Sequence, residues 1–351
     1  MWSVRSLPLL RSSLGACGGV TLGSSVLVLG EKEKSDWTAI HPVVLKDGQK
    51  LARKFLVVSP VDKLGLDLRL YQYQTCPYCS KVRAMLDYYG FSYEVVEVNP
   101  VTRSQLKFAK GYRKVPVVTT SKLEEKMIES SQIMSILYSF LILKNRSLED
   151  IATMYPKHEA QEGGKTVTTF PNKFYIMRED QQLNQTEMQS AREEREWREW
   201  VDNHFIHIIS PNVYRTWGES LETFRYFDKV GEWKRNFPAW ERHLAVYMGA
   251  MAMFFISKRL KKRHGITDER KAMLDACNAF LEAKGSRTFM GGSEPNLADL
   301  SFYGAITSFV GCKAFAEMRE SSEIGKWYDA VDSAVLEHRG AALVKNRLQQ
   351  S

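Results

Sequence analysis

A chain of 351 residues is longer than one compact core usually is, so two domains with an N-terminal extension are expected. Its 44% hydrophobic and 26% charged composition excludes a mostly disordered or collagen-like protein. The net charge of +8 speaks to association and not to fold, and the five cysteines (Cys17, Cys76, Cys79, Cys277, Cys312) are too few and too scattered for a disulfide framework, which suggests a reducing compartment for the folded part.

Met1 to Gly30 contains Arg5 and Arg11, no acidic residue, and an apolar Gly/Ser-rich stretch from Leu14 to Gly30. That stretch is shorter than the roughly 20 apolar residues that span a bilayer comfortably. A signal anchor, a mitochondrial presequence and a removable leader all stay open. Membrane association ranks above a disordered tail, because the acid-free run ends sharply at the polar Glu31 to Lys34. A linker then runs to about Gly65, so residues 1–64 are expected to be a targeting segment and linker.

Leu68 to Tyr73 alternates as a half-buried strand does, and it leads into Gln74-Thr75-Cys76-Pro77-Tyr78-Cys79. Val82, Met85, Leu86 and Tyr89 follow at helical spacing, with Gly90 placed to stop the helix. Tyr93 to Val98 reads as a second strand, and Val101 to Lys110 as a short helix. Lys114 to Val118 reads as a strand with Pro116 at its start. Lys126 to Ser131 precedes the helical periodicity of Ile133, Ile136, Leu137 and Phe140, with Ser130 or Ser131 as N-cap. The order β-α-β-α-β-β-α is that of a thioredoxin-like domain, assigned to residues 65–143.

Cys76 falls at a helix N-terminus, where unpaired amides and the helix dipole favour thiolate over thiol. Pro77 suits the first turn, and Cys79 is near enough to resolve a mixed disulfide. No second Cys-x-x-Cys or suitably spaced Cys/His partner accompanies the pair, which argues against zinc. A lone CxxC arises by chance fairly often, and buried cysteines are commonly inert. The position between strand and helix, followed by Val115-Pro116 and then Glu129-Ser130, favours the reactive reading.

Leu148 to Asn184 is polar and contains Gly163-Gly164, so residues 144–186 read as a long connection. Residues 187–340 read as helical. Arg192 to Ile209 lacks Gly and Pro, while Val246 to Ile256 is apolar on nearly all faces and is expected to be a buried core helix too short to span a membrane. His204 and His207 share a helix face, with Ser210 a turn on. Lys258 to His264 has the look of a solvated basic face or a phospholipid-facing patch. Asn296-Leu297-Ala298-Asp299 matches a capping box with Asp in place of the usual Glu or Gln.

The segments Tyr71–Cys79, Tyr112–Val117 and Ile128–Ser131 resemble the glutaredoxin-type half of a glutathione-transferase fold. Ile209–Thr216, Ile256–Lys261 and Phe289–Leu300 narrow the resemblance to membrane-associated prostaglandin E synthases of the type-2 form, over roughly residues 65 to 335. The resemblance implies an α/β thioredoxin-like N-terminal domain plus an all-α glutathione-transferase-like C-terminal domain. It implies isomerisation of prostaglandin H2 to prostaglandin E2, with Cys76 as the reactive thiol beside Cys79. Tyr73 is expected either to hydrogen-bond the sulfur or to be an ordinary core or surface tyrosine.

Glutathione is implied too, with Tyr78, Val115, Glu129 and Ser130 as its contacts. The Val115 backbone would meet the cysteinyl part, especially across a cis Val115–Pro116 bond. Glu129 would attract the γ-glutamyl ammonium, and the Ser130 hydroxyl with nearby helix-start amides would receive the carboxylate. A haem is a further possibility, held by His207 and Ser210 with Arg259 and Arg263 at its propionates. Gly265 stands where the family can carry another basic residue, and the haem-bound form would break the endoperoxide down. The resemblance also implies a homodimer and membrane attachment through the N-terminal segment, at the Golgi or another endomembrane. A processed cytoplasmic or perinuclear form and a mitochondrial location are the alternatives. Two other functional readings stay open: a glutaredoxin-like thiol-disulfide oxidoreductase, and a haem or glutathione carrier with little turnover. A basic patch without interleaved aromatics argues against nucleic acid.

Overall fold

The computed structural model describes residues 41–42, 54–109, 112–163, 165–178 and 183–349. The expectations for Met1 to Lys34, and for most of the linker after it, lie outside those residues. Six strands form one sheet in the order β1-β2-β4-β3-β5-β6. Its centre is β3 (Leu68–Gln72), parallel to β4 (Tyr93–Glu97) and antiparallel to β5 (Val117–Thr119). The strand β6 (Met127–Ile128) closes one side. On the other, β1 (His41–Pro42) pairs with β2 (Lys54–Val57), and β2 runs antiparallel along β4. The end of the stretch expected to be linker is therefore sheet, and it covers an edge of β4 whose amides and carbonyls would otherwise lack partners.

The strands are buried on both faces, where the alternation suggested one. Leu70, Val95 and Val118 face the main core, while Tyr71, Val96 and Val117 enter a smaller apolar layer with Leu106. A 3-10 helix (Ser104–Ala109), shorter than the helix expected from Val101 to Lys110, supplies Leu106 to that layer and packs Phe108 on Tyr71 at 4.8 Å. The main core holds α1 (Pro77–Tyr89) and α2 (Ser130–Ile142). Gly90 ends α1 in the left-handed region at φ 70°, a conformation open to glycine at little cost. The N-cap of α2 is Glu129 and neither expected serine; its carboxylate accepts from the Gln132 amide at 3.1 Å.

The connection after α2 is structured. A Ser147–Asp150 capping box opens α3 (Leu148–Thr153), and β7 (His158–Glu162) pairs with β8 (Lys165–Thr169) as a hairpin. Local capping and a Thr/Val-rich strand, not apolar periodicity, build this region, which is why it read as loop. Tyr155 ties it to α2: its hydroxyl lies 2.7 Å from Ser139 Oγ and donates to the Tyr175 carbonyl at 2.9 Å.

The helical half begins with α4 (Gln185–Trp200), a π turn over Val201–Phe205 and α5 (Ile206–Val213), so the run from Arg192 to Ile209 without Gly or Pro is helical with a π turn inside it. Next come α6 (Trp217–Val230), α7 (Trp233–Asn236), α8 (Ala239–Arg263) and α9 (Glu269–Lys284). The chain closes with α10 (Leu297–Thr307), α11 (Lys313–Ser321), α12 (Ile324–Leu336) and α13 (Ala342–Leu348). The capping box at Asn296 and Asp299 is formed, and Asp299 also accepts from the Met290 and Gly291 amides and the Trp327 indole. The apolar stretch Val246 to Ile256 is not a core helix. Val246 and Ala250 are buried, but Tyr247, Met248, Met251, Phe255 and Ile256 are exposed.

One apolar core runs through both halves, from Leu66 and Leu70 to Phe302 and Val344. Its tightest junction is α1 on α10. A Cβ at Gly304 would lie 2.6 Å from the Lys81 Cα and amide nitrogen, so the helix backbones meet at that glycine. Among the described residues no helix is long and apolar enough to cross a membrane.

Candidate active site

The strand β3 ends at Gln72, and a short turn carries the chain to Cys76 at the N-cap of α1. The Cys76 amide donates to the Tyr73 carbonyl at 3.1 Å. A buried network shapes the turn. Glu97 accepts from the Gln74 amide at 2.7 Å and from the Gln72 side chain at 3.2 Å, while Arg83 donates to the Gln74 carbonyl and to Ser80 Oγ, both at 2.8 Å.

The two cysteines differ in setting. Cys76 is half-buried, and Cys79 is fully buried. The Cys79 thiol donates to Cys76, which with the amides of Cys79 and Tyr78 and the charge of Arg83 lowers the Cys76 pKa against the opposing effect of burial. Burial first, and then the bond to Cys76 and its charge, push the Cys79 thiol well up, although the Tyr73 amide donates to it. This division favours the charged form at Cys76 and the protonated form, the donor, at Cys79. The Tyr73 hydroxyl is hydrogen-bonded with Arg103, and burial raises its pKa. Tyr73 thus serves the pair through its main chain, whose carbonyl receives Cys76 and whose amide reaches Cys79.

The Val115–Pro116 peptide is cis. Glu129 holds φ 71° at the head of α2, with Lys173 3.9 Å from its carboxylate. Burial and the charge of Asp202 raise the Glu129 pKa. Ser130 Oγ is buried and finds no partner among the described residues. An unpartnered buried hydroxyl at a helix N-terminus is suited to a carboxylate. Tyr78 has its pKa raised by burial and by the charges of Asp202, Cys76 and Glu129, so the phenol stands among all three.

Residues that sequence reasoning passed over complete the site. Lys81 is fully buried on α1; it donates to Ser131 Oγ at 2.9 Å and pairs with Asp202 from the π turn. Ser131 Oγ in turn donates to Asp202 at 2.6 Å. The Tyr112 phenol, pushed up to about 12 by burial, also feels Glu129 and Cys79, and the buried Tyr214 feels the charge of Cys76. Lys81 follows the CPYC motif directly enough to have been suspected. Asp202 carries no local signal, because only the packing of the π turn brings it there.

His207 stacks on His264 at 4.4 Å and 15°, and burial lowers its pKa, as it does that of His204. These three histidines line a cleft of about 590 Å³ with Trp200, Asn203 and Asp268. Ser210, Arg259 and Arg263 are not among its walls, and neither cysteine is. Of the four residues expected around a haem, this cleft therefore takes His207 alone. Among the described residues, no group of three or more His, Cys, Asp and Glu side chains is set to hold a metal ion.

A thioredoxin-like sheet half joined through one core to a helical half, with a cysteine at the first helix start, is a glutathione-transferase-like fold. Residues 70–139 match the family model described as glutathione S-transferase, N-terminal domain. Prostaglandin E synthase 2 of Mus musculus is 43% identical over 280 residues, covering 78% of this chain and 71% of the mouse protein. Prostaglandin E synthase 2 of Danio rerio is 41% identical over 289 residues, covering 81% and 75%. Among solved structures, glutathione transferase F7 from Populus trichocarpa superposes with a TM-score of 0.45 at 14% identity, over 78% of this chain and 99% of that one. The chain belongs to the prostaglandin E synthase 2 family, and it is an enzyme.

Proposed function

We propose that the chain isomerises prostaglandin H2 to prostaglandin E2 with the Cys76 thiolate as nucleophile. The observation that carries this reading is the asymmetry of the pair: a half-buried Cys76, its pKa lowered by the Cys79 thiol that donates to it, beside a buried Cys79 whose pKa is raised. The thiolate attacks the endoperoxide oxygen on C9. The O–O bond breaks, and the C11 oxygen leaves as an alkoxide and takes a proton to become the hydroxyl. Loss of the C9 proton then forms the ketone, and the S–O electron pair returns to sulfur. One proton is taken up and one released, so no external oxidant or reductant is consumed.

Glutathione is the second ligand in this reading. The unpartnered Ser130 hydroxyl and the α2 amides suit its γ-glutamyl carboxylate, the Glu129 carboxylate suits its ammonium, and the Val115 main chain and Tyr78 are its further contacts in this reading. The steps above use the chain's own thiol and call on no haem. The resemblance in the downstream blocks also supports a homodimer and membrane attachment through the first 30 or so residues.

The contact between the two sulfurs equally suits disulfide closure, which favours a thiol-disulfide oxidoreductase as the second reading. Conversion of prostaglandin H2 by haem-free protein, corrected for spontaneous decay, separates them. Loss of the excess prostaglandin E2 in Cys76→Ser with retention in Cys79→Ser supports the isomerase. No excess product from the wild type, together with reduction of mixed disulfides that needs both cysteines, replaces it with the oxidoreductase.

A further inference from the structure

The helix α8 presents an apolar face that no other described residue covers. Trp240, Leu244, Tyr247, Met248, Met251 and Phe255 recur at helical spacing on one side, and Trp240 and Phe255 are 63% and 64% exposed. The opposite side, with Val246, Ala250 and Ser257, is buried against the bundle. Large aromatic and methionine side chains in one exposed row are more than the scattered apolar residues any surface carries.

The same row continues past Phe255 into charge. Lys258, Arg259 and Lys262 follow on that side, and Arg263 lies just beside it; all four are exposed. Lys258 donates to the Arg215 carbonyl at 2.7 Å, so its position is held at the helix surface. The only acidic residue of α8, Glu241, is buried and bonded by Asn99, so α8 offers no exposed carboxylate on this face. Near the apolar end, Asp228 is already occupied by Arg242 at 2.7 Å. Two copies packed through α8 would meet cation against cation, or cation against the Trp240 end, with no free carboxylate on the helix to answer the charge. An anionic lipid surface answers both parts of the row at once.

We propose that α8 lies in the interface of an anionic bilayer, with the row from Trp240 to Phe255 in the acyl boundary and Lys258, Arg259 and Lys262 on the headgroups. This contact adds to any attachment by the N-terminal segment and is independent of the reaction assigned above. Tryptophan, tyrosine and methionine suit that boundary because each has a bulky apolar body, and the first two also carry a polar tip.

The test uses the full chain with vesicles of phosphatidylcholine alone or mixed with phosphatidylserine, comparing wild type, Phe255→Glu and Lys262→Glu by co-sedimentation. Light scattering of the same samples without lipid reports the oligomeric state, and circular dichroism reports folding. The N-terminal segment contributes equally to all three chains. The expected result is preferential sedimentation of wild type with phosphatidylserine vesicles, weakened by salt, and a drop of severalfold or more for each substitution at unchanged helicity and oligomeric state. Equal sedimentation of all three chains, or none by wild type, overturns the proposal. So does a Phe255→Glu chain that turns from dimer to monomer while still sedimenting, which assigns the face to a second copy.

Discussion

Lys81 on α1 and Asp202 in the π turn form an ion pair buried between the sheet half and the helical half, with Ser131 at the start of α2 bonded to both. Three elements from distant parts of the sequence thereby converge directly behind the reactive helix. Removing one partner strands the other charge in the interior, whereas replacing both by apolar residues of similar volume does not. Lys81→Met is therefore expected to destabilise the protein by about 3–5 kcal/mol, and Lys81→Met/Asp202→Leu to recover much of that loss. Urea denaturation of the three chains measures both; a double variant no better than the single would refute the pairing.

The thiol asymmetry has a pH signature. Cys76 should react with iodoacetamide with a midpoint below that of an ordinary thiol, because the Cys79 donor and the amides favour its charged form. Cys79→Ala removes the principal donor, so the midpoint should move up and the rate at neutral pH should fall severalfold. A profile unmoved by Cys79→Ala would leave the helix amides as the main cause.

Glu129 offers a separation of stability from binding. Its pKa is raised in the fold, first by burial and then by Asp202. Below its unfolded pKa the group is neutral in both states and carries no penalty. Above its folded pKa the fold bears the full cost of the charge, so stability is lost as pH rises across that window. Glu129→Gln should match wild type in acid and exceed it at neutral pH in thermal melts, while binding glutathione more weakly. A variant less stable than wild type at neutral pH would contradict this sign.

Ser130 should show its function without a structural cost. Its hydroxyl has no partner among the described residues, so Ser130→Ala should leave stability near wild type or slightly higher. Losing a hydrogen bond to a charged ligand group costs about 1.5–3 kcal/mol, a weakening of glutathione binding of tenfold or more. Calorimetric titration and a denaturation curve on the same sample give both numbers.

At Gly304 the requirement is steric. Alanine there would press its Cβ onto the Lys81 backbone at 2.6 Å, and neither helix can yield at a flexible side-chain tip. Overpacking of this kind costs about 1–3 kcal/mol. The expected outcome is a lower melting temperature together with slower Cys76 alkylation, because α1 shifts as a body. A neutral Gly304→Ala would show that α10 can move away freely.

Local chemistry made the reactive half legible. Alternation in β3, the proline after Cys76, the glycine at position 90 and the Asn296–Asp299 capping box each act within a few residues, so their consequences can be read along the chain. Features with no local marker were hidden. The edge strand β2, the hairpin β7–β8 and the π turn depend on a partner elsewhere, and periodicity could not tell that the stretch from Val246 to Ile256 buries one side only. The site divides the same way. Cys76, Cys79, Glu129 and Ser130 announce themselves as a motif and a helix start, which are properties of neighbouring residues. The pairing of Lys81 with Asp202, the raised pKa of Cys79 and the exposed row on α8 arise from burial. Burial is a property of what surrounds a residue in space, and tertiary packing alone decides it.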